Sequence, residues 1–310
     1  MKRNINILLL TLLLAFASCS FTTKTFENND KDKLLVQLIT YVLEQGHFDP
    51  KDMNDSFSEG VFYDYIEQLD PFKRYFLKSD IKEFENYKHE IDNQLMKYDL
   101  TFFNLTHERL LQRIEESKLV YKEVLAESFD YDIEEDYNTD YESLEFVKNK
   151  KQLKERWRKQ LKFSTLTNYD DIYTQEKQAK EKDESYVMKT EEQIEKEARE
   201  ATLKSLDIYF NDNIDDLKRE DYFAVYVNAI VEEFDPHTYY LAPKGKEEFD
   251  TRMSGKLEGI GARLQKRMDA IMVNEVISGG RAWRANELEV GDQSLTVRQE
   301  DEEEPVNIVG

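Results

Sequence analysis

The chain has 310 residues, is 40% hydrophobic and 12% aromatic, and carries a formal charge of -22 with a pI near 4.7. That is enough apolar material to build the cores of two domains, which excludes a disordered acidic tail. A surface this acidic repels phosphate, so nucleic acid and anionic membrane surfaces are excluded as partners.

In chain order, residues 1–19 (MKRNINILLLTLLLAFASC) place a basic start before an apolar run too short to span a bilayer, then small residues and a cysteine. This order specifies export, with residues 1–18 as a signal peptide. Phe16-Ala17-Ser18-Cys19 resembles a bacterial lipobox. That reading makes Cys19 a lipid attachment site and leaves the mature chain, from residue 19, in the cell envelope, facing the periplasm and held to a membrane by lipid alone. An ordinary cleaved signal with a cysteine nearby is the other reading. Cys19 is the sole cysteine, so neither an internal disulfide nor a thiol metal site can form.

No glycine occurs between Gly60 and Gly245, and no proline between Pro71 and Pro236. Helices need neither residue inside them and are weakened by both, so this stretch is expected to be helical. Leu34, Leu38 and Val42, followed by Gly46, predict an amphipathic helix with its stop signal. Asp80 with Glu83 gives a capping-box pattern for a helix carrying Ile81, Phe84, Tyr87 and Ile91. The acidic-aromatic run near residues 128–146 is the least regular part. Lys148 to Phe163 is strongly basic, yet Leu153, Trp157 and Leu161 recur at helical spacing, which predicts an inward stripe and a solvated basic face. Gln175 to Glu200, mostly charged or polar, reads as a solvated helix or a mobile connector. Leu203, Leu206, Phe210, Ile214 and Leu217 form one further stripe, and Phe223, Val227, Ile230, Val231 and Phe234 another. Asp49-Pro50, Asp70-Pro71 and Asp235-Pro236 are read as hinges: proline ends a helix, and the aspartate can accept from nearby amides.

After Gly245 short β-branched runs alternate with glycine, a strand-and-turn composition. The fold expected is mainly α: a helical N-terminal domain over residues 19–245, then a partial PDZ-like β-containing domain over 246–310. Gly259-Ile260-Gly261-Ala262, followed by Arg263-Leu264-Gln265, Val276-Ile277-Ser278-Gly279-Gly280, Ala282, Leu288 and Val290-Gly291-Asp292, resembles the first two-thirds of a PDZ domain. The physics suits that role, because glycines before an edge strand let successive amides converge on an anion while the strand accepts an extended peptide. The resemblance implies that the amides of Ile260, Gly261 and Ala262 hold a C-terminal carboxylate. Gly259, Arg263 and Leu264 would line the peptide groove, with an apolar pocket near Ile260 and Leu264.

Leu69 to Tyr87 (LDPFKRYFLKSDIKEFENY) and Phe234 to Pro243 (FDPHTYYLAP), followed by MSGKLEGIGARLQ, resemble the tail-specific, or carboxy-terminal processing, serine proteases of bacterial envelopes. The resemblance covers essentially everything after the signal. It implies that the PDZ domain captures protein or peptide C-termini, that a later Ser-Lys pair cleaves the chain, and that no cofactor takes part. The sequence ends at Gly310, before the family's serine and lysine and before the second wall of the groove, so no catalytic residue is assigned and the chain alone is expected to be inactive. Arg281 stands where the family usually has proline, and Ser294 where an apolar residue is expected.

Other chemistry has little support. Ser79 and Lys82 match S-x-x-K but sit at a helix start among charges, and Ser254-Gly255-Lys256 reads as a turn. His47, His89, His107 and His237 share no metal-ligand spacing, and His237 is expected to make a structural hydrogen bond. Runs of exposed carboxylates do not make a glycosidase cleft. Two functional readings stand: the N-terminal scaffold and substrate-recognition part of a tail-specific protease, or a lipid-anchored helical adaptor that reads peptides without cleaving them.

Overall fold

The computed structural model describes residues 28–254, 259–267, 270–294, 296–297 and 306–307. The signal segment and Cys19 lie outside the described residues. The molecule is mainly helical, with a small β-containing region toward its C-terminal end.

Helix α1 (Asn28–Tyr41) continues into a π-turn, Val42–Gly46, so the segment does stop at Gly46. Its inward face is not the predicted one. Leu34, Leu38 and Val42 are half exposed, whereas Asp32, Val36, Thr40 and Leu43 are buried. The sequence offers two faces at helical spacing, and an ion pair selects between them: Arg219 Nε donates to Asp32 Oδ2 at 2.9 Å. A search for the most apolar stripe passes over a face that includes an aspartate.

Helix α2 (Asp55–Leu69) is capped by Asn54, whose side chain accepts from the amides of Ser56 and Phe57. The chain then turns sharply at Asp70-Pro71. Asp70 is fully buried and accepts from the amides of Arg74, Tyr75 and Phe76 at 2.8–2.9 Å, as the Asp-Pro reading expected. One carboxylate closes the whole loop, so this pair is a fastened turn where a hinge was expected.

The predicted long helix from Asp80 breaks into α3 (Lys78–Phe84), a 3-10 turn and α4 (Ile91–Lys97). Asp80 is not its N-cap. It occupies the third helical position and reaches back to accept from the Leu77 amide at 2.9 Å, while Glu83 pairs with Arg109 instead of closing a box. Helix α5 (Thr101–Leu125) supplies Arg109 and Arg113, which meet Asp80.

Residues 126–149 are irregular, as expected, and they cover the basic face of α6 (Lys150–Lys182). Leu153, Trp157 and Leu161 point inward as predicted. The basic face is not merely solvated, because Arg158 and Lys162 grip Glu135, and Lys159 donates to the Asp136 carbonyl at 3.0 Å. The hydrogen bonds from Arg158 and Lys162 hold the Glu135 carboxyl at about 2. The acidic loop neutralises the basic stripe from within the same chain.

Residues 175–200 are mostly the expected solvated helix, the end of α6 and the start of α7 (Glu191–Ile208), joined by a hairpin bend over residues 183–190. Buried Glu176 ties the bend by accepting from the Tyr186 hydroxyl and the Lys189 amide, and Ile194 and Ala198 are buried against α6. Helix α7 widens into a π-turn, Tyr209–Ile214, before α8 (Arg219–Phe234). All five residues of the predicted α8 stripe are buried. They meet α2 in an aromatic core in which Tyr65 and Tyr226 pack edge to face at 5.0 Å. The third Asp-Pro pair ends α8. There Asp235 accepts from the His237 amide and from His47 Nε2 at 3.1 Å.

Helix α9 (Pro243–Ser254) spans residue 245, so the change to strand comes at β1 (Ala262–Arg267). Strand β2 (Ala270–Val276) pairs antiparallel with β1, and β3 (Gln293–Ser294) pairs with β2. Short helix α10 (Arg281–Ala285) lies between β2 and β3, and β4 (Thr296–Val297) pairs with β5 (Val306–Asn307).

Candidate functional site

The site is built where the loop at Gly259–Gly261 enters β1. Gly261 has φ +80°, and a Cβ there would lie 2.7 Å from the Arg281 nitrogen. Gly280 is equally confined: a Cβ would lie 2.9 Å from the Ile277 carbonyl oxygen. Only glycine lets the two turns touch. Their contact is fixed by two backbone hydrogen bonds, Ala282 N–H to the Ile260 carbonyl at 2.8 Å and Ile277 N–H to the Gly261 carbonyl at 2.9 Å.

Those bonds orient the amides. A trans peptide plane points its C=O and N–H in opposite directions. With the Ile260 carbonyl aimed at α10 and the Gly261 carbonyl at the end of β2, the N–H groups of Gly261 and Ala262 turn to the other side. That side is the free edge of β1, because the sheet order β1-β2-β3 leaves β1 outermost among the described residues. Ile260 and Leu264 are half exposed beside it. Arg263 pairs with Glu275 across the ladder at 2.8 Å, and a bulge between Arg263 and Leu264 bends the strand. Behind the loop, a cleft of ≈ 1060 Å³ runs between Gly259 and Leu288. Buried Val273 anchors the sheet, accepting from the Gly291 amide and donating to the Asp292 carbonyl, each at 2.8 Å.

The structure thus brings Gly259, Ile260, Gly261, Ala262, Arg263 and Leu264 into one exposed turn and edge. Of the three amides singled out from the sequence, that of Ala262 is directed away from β2 by the bond at the Gly261 carbonyl.

Of the remaining candidates, His47 and His237 meet at Asp235, and the others lie elsewhere. Ser79 and Lys82 are both exposed on α3. Ser254 ends α9, and Gly255 and Lys256 lie outside the described residues. His237 is exposed and contacts Asp235 at 3.2 Å, while His107 packs against Phe103 and Tyr222. Burial, followed by the nearby Arg219, lowers the His107 pKa. Among the described residues no three His, Cys, Asp or Glu side chains are placed to hold a metal ion. No described helix is long and apolar enough to cross a membrane.

Sequence reasoning missed two clusters. One is His47–Asp235–His237, where the backbone bond from His237 first, and the His47 hydrogen bond after it, hold the Asp235 carboxyl down at about 2. The other is the aromatic cage around Arg74, with four rings, Phe72, Tyr75, Trp157 and Tyr209, centred 5.1–5.5 Å from its guanidinium. Neither cluster is contiguous in the chain, and only the arginine within DPFKRYF gave a local sign of the second.

Residues 39–244 match the family model described as the tail specific protease N-terminal domain. The tail-specific protease of Haemophilus influenzae is 26% identical over 272 residues, covering 87% of this chain and 36% of that protein. A probable CtpA-like serine protease of Staphylococcus aureus is 35% identical over 80 residues, covering 26% of this chain and 15% of that protein. The chain therefore spans well under half the length of these relatives.

Proposed function

The chain belongs to the tail-specific protease family, and from that premise we propose that it supplies the scaffold and the substrate-end recognition of a bacterial envelope serine endopeptidase. The Ser-Lys pair that cleaves the peptide bond is assigned to the part of the family's length that this chain does not span. Residues 246–310 act as a PDZ-type reader. The Gly261 and Ala262 amides, joined by that of Ile260, donate to the terminal carboxylate of a substrate, and the substrate's last residues add as a strand along β1. Its terminal side chain rests on Ile260 and Leu264. Attachment through a lipid at Cys19 would keep this reader in the envelope.

What supports the reading is that the Ile260 and Gly261 carbonyls are bonded to the amides of Ala282 and Ile277, which pre-positions the loop beside a strand edge that is outermost among the described residues.

The test uses fluorescein-labelled peptides ending in apolar residues, as free acids and as C-terminal amides. By anisotropy the acid should bind this chain at least about tenfold more tightly, the value of a charge-assisted hydrogen-bond pair. Equal binding of acid and amide removes the carboxylate assignment. The purified chain should leave an unstructured protein with an apolar C-terminus uncut; cleavage abolished by a serine-protease inhibitor would refute the division of labour.

A further inference from the structure

The helical domain contains a second polar-ended cavity. It has a volume of ≈ 390 Å³, walls of Leu69, Leu110, Ile114 and Val225, and a rim where Gln68, Phe72 and Leu217 are exposed. Among the described residues, Arg74 Nε and the Tyr222 hydroxyl have no hydrogen-bond partner, and the Tyr75 hydroxyl has only the polar groups of Arg74 and Tyr209 close to it. Arg74, Tyr75 and Tyr222 are more than nine-tenths buried. Arg74 is a cation inside an apolar wall, and among the described residues no carboxylate lies within ion-pair distance of it. The nearest acid in sequence, Asp70, spends its oxygens on three backbone amides. The guanidinium donates from Nη2 to the Tyr209 hydroxyl at 2.8 Å. Asp221 also lines the wall, and its carboxylate is turned to the Lys218 amide.

A buried cation with unpaired donors is costly unless an anion completes it. Three N–H and O–H donors beside an apolar hollow match a carboxylate carried on an apolar body. The site is held in place by the π-turn that presents Tyr209 and by Trp157, whose indole N–H fixes the Arg74 carbonyl at 3.1 Å. The open rim lets a chain continue outward, and the Gln68 amide there can pair with a peptide group, for which an acyl chain has no use.

We propose that this cavity is a second binding site for an apolar polypeptide C-terminus, with Arg74, Tyr75 and Tyr222 receiving the carboxylate. It stands independently of the loop at Gly261.

The two tryptophans of the chain separate the sites: Trp157 touches Arg74, and Trp283 sits on α10 beside the loop. In W283F protein, Trp157 emission is titrated with N-acetyl-leucyl-leucine, its C-terminal amide, and decanoate. The free acid should change the emission saturably in the millimolar range or below, and the amide should bind at least about tenfold more weakly. In the Y75F/Y222F double variant Arg74 keeps its bond to Tyr209, so the thermal midpoint should fall by no more than a few degrees while affinity for the acid falls about tenfold. An unresponsive Trp157, equal binding of acid and amide, or full affinity in the double variant overturns the proposal. Tighter binding of decanoate than of the dipeptide would assign the cavity to an acyl chain and overturn it too. Loss of the loop's carboxylate preference would leave the Trp157 signal intact, so the two readings fail separately.

Discussion

Replacing Asp80 by alanine is expected to cost about 3–5 kcal/mol of folding stability, the range for removing one partner of a buried ion pair. Asp80 is 1% exposed. One oxygen accepts from Arg113 Nη2 at 2.8 Å and from Arg109 at 2.5 Å. The other accepts from Arg113 Nε at 2.8 Å and from the Leu77 amide at 2.9 Å. This is a two-pronged grip on a buried guanidinium, the strongest geometry such a pair can take. Alanine would leave Arg113 with Glu116 as its remaining carboxylate, held by Nη1 at 2.7 Å, and would free the end of α3 at once. Guanidinium unfolding at pH 7 measures the loss, and a drop under about 1 kcal/mol would mean that water already screens the pair.

The same carboxylate sets an acid limit. Burial alone would raise its pKa, but the bonds from Arg113, Leu77 and Arg109 outweigh burial and hold it below the ordinary value of 3.8. A depressed folded pKa gives stability that is fully present above the unfolded value and is lost as pH falls through the folded one. Stability of the native chain should therefore decline below about pH 4, and D80N, which cannot titrate there, should show a shallower decline. Parallel slopes would take Asp80 out of the acid transition.

Replacing Gly261 by alanine is expected to abolish discrimination between acid and amide peptides and to weaken binding of the acid at least about tenfold. Two penalties coincide at that position: a positive φ that side chains resist, and a Cβ driven to 2.7 Å from the Arg281 backbone nitrogen. A backbone atom cannot swing aside as a side chain can, so α10 must separate from the loop and release both carbonyls. Gly279→Ala is the internal control. Gly279 has φ +79° but nothing within 4 Å of the place a methyl would take, so it carries the conformational penalty of about 1 kcal/mol alone. G279A should keep the acid preference that G261A loses; equal loss in both would trace the effect to general strain.

The division into helical and strand-bearing parts was legible because glycine and proline are punctuation, and their absence from residues 72–235 leaves few alternatives to helix. The stripe of α8 was legible because that helix is buried on one plainly apolar face. On α1 the same reasoning chose the wrong side, since Arg219, nearly two hundred residues away, decides which face turns inward. Asp80 was misread for a related reason. Local spacing suggested a cap, whereas its partners come from α5, a helix that spacing within residues 80–91 does not register. Over residues 175–200 a solvated helix and a mobile connector both stayed open, because charge counts do not reveal that Glu176 is buried and bonded. At the candidate site, the glycines marked the turn, and Gly259 to Leu264 do gather there. What the sequence does not contain is the direction of the amides, which depends on where Ile277 and Ala282 donate.

That direction is tested most directly by the backbone N–H resonances of Gly261 and Ala262 in nitrogen-15-labelled protein, titrated with a peptide that ends in a free apolar carboxylate. Both signals should move downfield and saturate with the free acid, and stay in place with the matching amide. Signals that ignore the acid, or that follow acid and amide alike, would contradict a backbone site for chain ends in this protein.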